Sequence, residues 1–77
     1  MPRYFFNVQD SSGRDIEGSE LADLHAAKEA AVRLCGEMIR EIDGAFWDAP
    51  LWRLEVTNPQ NRLLFSLTFA AEDHEPA

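Results

Sequence analysis

The chain has 77 residues, 45% of them hydrophobic, with fourteen acids against seven bases and a net charge of −7. That length leaves room for one domain and one core, and a single cysteine excludes an internal disulfide. The acidic balance argues against general binding to a phosphate backbone, which depends on Lys and Arg, and no stretch is long and apolar enough to span a membrane.

Residues 3–9 read Arg-Tyr-Phe-Phe-Asn-Val-Gln. Alternation puts Tyr4, Phe6 and Val8 on one face of a strand and Arg3, Phe5, Asn7 and Gln9 on the other. The cluster Asp-Ser-Ser-Gly at 10–13 predicts a turn, after which residues 14–17 return as a short edge strand with Ile16 pointing inward. Leu21 or Ala22 is placed to pack back on the first turn of a helix that spans residues 23–44. Along it Leu24, Ala27, Ala31, Leu34, Cys35, Met38, Ile39 and Ile42 share one arc, and His25, Glu29, Arg33, Glu37 and Arg40 lie opposite. Asp23 serves as N-cap and Gly44 closes the helix in a left-handed conformation. Glu29 and Arg33 have the favourable order for an i to i+4 pair, worth roughly 0.2–0.5 kcal/mol. Gly36 is out of place in a helix interior, where glycine costs about 1 kcal/mol relative to alanine, and either close approach of Phe46 or Trp47 or a functional bend would account for it.

The loop at 45–50 carries Phe46 and Trp47, one of which caps the end of the core. In the third strand Trp52, Leu54 and Val56 point inward, with Leu51, Arg53, Glu55 and Thr57 outward. Asn58, Pro59, Gln60 and Asn61 make a turn, with Asn61 in the left-handed region. The fourth strand turns Leu63, Phe65, Leu67 and Phe69 inward, and Arg62, Leu64, Ser66 and Thr68 outward. The predicted fold is α+β, in the order ββαββ: one amphipathic helix packed on one face of a three- to four-stranded sheet. Residues 1–70 form the domain and 71–77 an acidic flexible tail. Strand orders 2-1-4-3 and 2-1-3-4 both satisfy this pattern.

The opening Met-Pro-Arg-Tyr-Phe-Phe-Asn-Val, the stretch Asp15-Ile16-Glu17-Gly18-Ser19-Glu20-Leu21-Ala22-Asp23, the Ala-rich helix and the late Val56-Thr57 pair resemble a family of small bacterial proteins classed only as a domain of unknown function. The resemblance covers nearly the whole chain and implies no activity, cofactor or catalytic residue. The chain departs from the family pattern at the Asn-Pro-Gln-Asn turn, where an Asp-Gly-like turn is common, and at Phe46-Trp47.

For function the residues offer little chemistry. His25 is assigned to the outer helix face, His74 to the tail, and Cys35 to the packed arc, so no catalytic residue is assigned. Asp15, Glu17, Glu20 and Asp23 are close in sequence but lack the spacing of a calcium loop, and no Cys/His set suits zinc; no metal or cofactor is assigned. With one helix, the second face of the sheet is bare. Arg3, Phe5, Asn7, Leu51, Arg53, Arg62 and Leu64 on that face form the candidate interaction surface. The expected role is a non-catalytic interaction or regulatory module, self-associating as a dimer through this face or an edge strand, or binding another protein. Stacking of a single-stranded nucleic acid on Phe5, with the arginines on phosphates, is the disfavoured alternative. Docking of the acidic helix side on a basic protein is a third. A lone cysteine and no apolar leader point to a reducing cytoplasm.

Overall fold

A computed structural model describes residues 1–9, 15–48 and 51–74. The turn expected at 10–13, Arg14, residues 49–50 of the loop and the last three tail residues fall outside this set. The elements run β1 (Arg3–Val8), β2 (Ser19–Glu20), α1 (Leu24–Ile42), a 3-10 turn (Asp43–Asp48), β3 (Leu51–Thr57) and β4 (Leu63–Ala70). The fold is α+β, with one helix against an open four-stranded sheet of order 2-1-3-4, antiparallel throughout. Of the two orders the pattern allowed, the structure adopts the one that seats β1 between β2 and β3.

Directly opposed residues share a face of an antiparallel sheet. Phe6 opposes Val56 and Val8 opposes Leu54, while across the other ladder Val56 opposes Phe65, Leu54 opposes Leu67 and Trp52 opposes Phe69. These rows meet the helix through Ala27, Ala31 and Cys35, all fully buried against Tyr4, Trp52, Leu54 and Val56. Small side chains at four-residue spacing let the helix lie close to β3. Leu21, Leu34, Met38, Ile39, Ile42 and Phe46 pack around that seam half-buried, and Phe46 thereby caps one end of the core while Trp47 stays exposed.

Several local expectations are corrected. The second strand is Ser19–Glu20 and pairs with Arg3 and Tyr4, and residues 15–17 of the expected strand are not in the ladder. Ile16, expected inside, is 86% exposed because residues 15–18 form a turn bound to β1 by polar contacts. Leu24, the first residue of α1 and expected on the packed arc, is 41% exposed. Asp23 does cap the helix, its Oδ1 accepting from the Ala26 amide at 2.9 Å. The helix nevertheless stops at Ile42: Asp43, at φ 54°, takes the closing position and its amide donates to the Ile39 carbonyl, so Gly44 falls within the 3-10 turn. Glu29 pairs back with His25 at 3.5 Å, in place of the expected Arg33. In the last turn Asn61 has φ 65°, as its residue type predicts, and the Asn58 side chain accepts from the amides of Gln60 and Arg62.

A Cβ built at Gly36 meets no atom of another element within 4 Å among the described residues, so neither Phe46 nor Trp47 approaches it. Without a packing reason, glycine here only lowers helix stability. Gly36→Ala is expected to stabilise the protein by about 1 kcal/mol, read as a rise in Tm of about 4–8 °C by thermal circular dichroism. An unchanged or lower Tm would refute it.

Burial pushes the Cys35 thiol above the ordinary range. The unfolded chain releases this proton from about pH 8.5 while the folded chain retains it. The stabilisation linked to the neutral thiol is therefore complete below that pH and is lost as pH rises towards the folded pKa. Urea unfolding is expected to show a fall in stability between pH 8 and pH 10 that is smaller in Cys35→Ala. Equal slopes for the two proteins would sink this assignment.

Candidate interaction surface

The face of the sheet away from α1 carries Arg3, Phe5 and Asn7 from β1, Leu51, Arg53, Glu55 and Thr57 from β3, and Ser66 and Thr68 from β4. The surface anticipated from sequence is not one patch. Phe5 opposes Thr57, whereas Leu51 stands at the other end of β3, about 20 Å away at strand rise. Leu64 leaves the face altogether. A bulge between Val56 and Thr57 sets Leu63 opposite Thr57 and lets Leu64 pack against the core, so Leu63, expected inside, is 48% exposed. Phe5 is half-buried, its Cε2 standing 2.9 Å from where a Gly18 Cβ would be. Arg62 is exposed just before β4.

Two of the three arginines are engaged within the chain. Arg3 donates from Nη1 to the Glu17 carbonyl at 2.6 Å and from Nη2 to Glu20 Oε2 at 3.0 Å. Arg53 donates from Nε to Glu55 Oε2 at 3.0 Å and from Nη1 to Thr68 Oγ1 at 3.2 Å. These pairs neutralise much of the positive charge on the face.

The two edges of the sheet are built differently. Beside β1, β2 is only two residues long, and the segment before it completes the edge. Asp15 accepts from the Phe6 amide through Oδ2 at 3.0 Å and from the Gly18 amide through Oδ1 at 2.9 Å, while its own amide donates to Asn7 Oδ1 at 2.8 Å. The Leu21 amide donates to the Pro2 carbonyl at 3.0 Å. A carboxylate takes the strand amide that a longer β2 would have paired.

The opposite edge is β4, Leu-Leu-Phe-Ser-Leu-Thr-Phe-Ala, eight residues with no charge and no proline. The Gln9 amide donates to the Arg53 carbonyl at 2.9 Å, so Arg53, and by alternation Glu55 and Thr57, bond towards β1. Trp52, Leu54 and Val56 then bond towards β4 and engage Phe69, Leu67 and Phe65. The amides and carbonyls of Ser66, Thr68 and Ala70 face outward, with no strand beyond them among the described residues. Phe69, edge-on to Trp52 at 5.9 Å between centroids, remains 40% exposed. The sequence carried this signal in the missing gatekeeper charges, but the alternation alone did not show which strand lay at the edge.

The family model described as Domain of unknown function (DUF6894) matches residues 3–70. The chain belongs to this family. No curated protein and no solved structure matches it. The stretch that carried the DUF6894 resemblance has a structural role at nearly every position: Gly18 supplies φ 72°, Glu20 holds Arg3, Leu21 enters the core margin and Asp23 caps α1. Asp15, Glu20 and Asp23 are thus committed to separate partners, and among the described residues no three His, Cys, Asp or Glu side chains gather as a metal site. A shallow cleft of about 400 Å³ lies over Phe5, Asn7, Asp15 and Thr57, beside the 58–61 turn. The Asp15 carboxylate in it accepts from two amides, and among the described residues lining the cleft there is no second acid or base. Among the described residues no helix is long and apolar enough to cross a membrane.

Proposed function

We propose that this DUF6894 protein is a non-catalytic interaction module of the bacterial cytoplasm that self-associates, and that β4, not the open face, makes the contact. The supporting observation is the contrast between the edges. One is closed by the Asp15 carboxylate and the Arg3–Glu20 pair, whereas the other offers a neutral strand with outward backbone groups. Natural sheets protect a long edge with charge, proline or a covering element, and a bare one invites pairing. The small core adds a motive, because a domain of this length buries only about 60% of its unfolded surface alone. Nucleic-acid stacking draws less support, since Arg3 and Arg53 already hold acids and Phe5 is partly covered by the Gly18 turn.

Sedimentation tests the reading. The wild type is expected to sediment as a dimer and Thr68→Pro as a folded monomer. Proline at 68 removes an outward donor without breaking a backbone bond to β3, and it gives up only the exposed Arg53 Nη1–Thr68 Oγ1 contact. A wild type that stays monomeric at the highest attainable concentration would refute self-association.

A further inference from the structure

We infer that β4 pairs antiparallel with β4 of a second copy about a twofold axis at Leu67, giving one continuous eight-stranded sheet with both helices on the same face. The inference rests on the self-association proposed above and specifies its geometry. Backbone parity restricts the register: outward-bonding residues must oppose outward-bonding residues, and these are the even-numbered positions of β4. The axis therefore passes through a residue and not between two.

Three centres fit the strand, at Ser66, Leu67 or Thr68. A centre at Ser66 draws the bulge at Leu64 into the middle of the new ladder, opposite Thr68. A centre at Thr68 shortens the overlap. The Leu67 centre opposes Ser66 to Thr68 on the open face and Phe65 to Phe69 on the helix side, and leaves the bulge at the end. Phe65 and Phe69 then meet in a non-hydrogen-bonded pair, the closer of the two kinds, which covers the exposed Phe69 ring.

Charge is compatible with the same register. Arg62 precedes β4 and Glu72 follows it, each five residues from Leu67 in sequence, and the bulge brings Arg62 one ladder position nearer, so the two side chains lie diagonally across the pair. Both are exposed, Glu72 accepting from His74 at 3.1 Å. Reversal of the strand in the second copy brings the Arg62 end of one against the Glu72 end of the other, twice per dimer. The eight strand residues themselves are uncharged, so two copies of net charge −7 meet without like charges opposed along the ladder.

Two measurements test this. Amide exchange by NMR on the wild type is expected to show Ser66, Thr68 and Ala70 slowing by at least about tenfold on dimerisation, while Phe65, Leu67 and Phe69 are slow in both states. Arg62→Glu and Glu72→Arg are each expected to raise the dimer dissociation constant by about tenfold, and the double reversal to restore it. A dimer whose Ser66 and Thr68 amides exchange freely overturns the edge geometry and leaves self-association standing. Protected edge amides with no rescue by the double reversal overturn the Leu67 register. A monomeric wild type overturns both the geometry and the reading beneath it.

Discussion

Gly18→Ala is expected to destabilise the protein by about 2–4 kcal/mol, against a total of about 4–12 kcal/mol for a domain of this size. Two costs combine. The residue has φ 72°, where an L side chain costs about 1–2 kcal/mol. A Cβ would also stand 2.9 Å from Arg3 Cγ, 2.9 Å from Phe5 Cε2 and 3.0 Å from the Tyr4 carbonyl oxygen. The two side chains can give way. The carbonyl belongs to the paired part of β1 and can move only by disturbing β2. Urea unfolding checks the magnitude, with Gly44→Ala as control, because a Cβ there meets nothing within 4 Å and the backbone has no positive φ. If the two variants unfold at the same midpoint, the steric account of Gly18 is wrong.

Asp15→Ala is expected to cost about 1–3 kcal/mol by leaving the partly buried Phe6 and Gly18 amides without their acceptor. Asp15→Asn should lose less, since one amide oxygen can serve one of the two donors while the NH2 group faces the other. The ranking wild type, Asn, Ala in denaturant midpoint is the test, and equal midpoints for Asn and wild type would show that only one of the two bonds matters. A second effect follows from where the carboxylate sits. Its removal frees a strand amide on the protected side of the sheet, so concentration-dependent light scattering should increase in the alanine variant.

Much of the architecture was legible in the sequence because period-two and period-3.6 patterns report directly on faces. Tyr4, Phe6, Trp52, Leu54 and Val56 read correctly as the helix-side rows, and Ala27, Ala31 and Cys35 as the contact line of α1. The helix end at Asp43 and the His25–Glu29 pair are local departures, whereas the larger errors depend on contacts distant in sequence. Ile16 followed alternation, but alternation fails where a side chain, here Asp15, replaces the ladder. Leu63 and Leu64 exchanged faces because a bulge adds one residue to β4, and no residue type marked it. Gly36 suggested a close neighbour by its type, yet exposure at that position depends on how the helix is rotated over the sheet. The anticipated surface divided for the same reason. Phe5 and Leu51 were assigned to the right face, but their relative placement along the sheet required the β1–β3 register.

That register bears on how the chain reaches its native state. β1 is early in the chain but central in the sheet, and Phe6 meets Val56 fifty positions later. The β3–β4 hairpin can close locally within microseconds. Ordering β1 against it requires closure of a loop holding the whole helix, a search that slows assembly. During synthesis the Tyr4-Phe5-Phe6 triplet therefore emerges well before the strand that will shelter it, so the nascent chain carries an exposed aromatic segment until β3 leaves the ribosome.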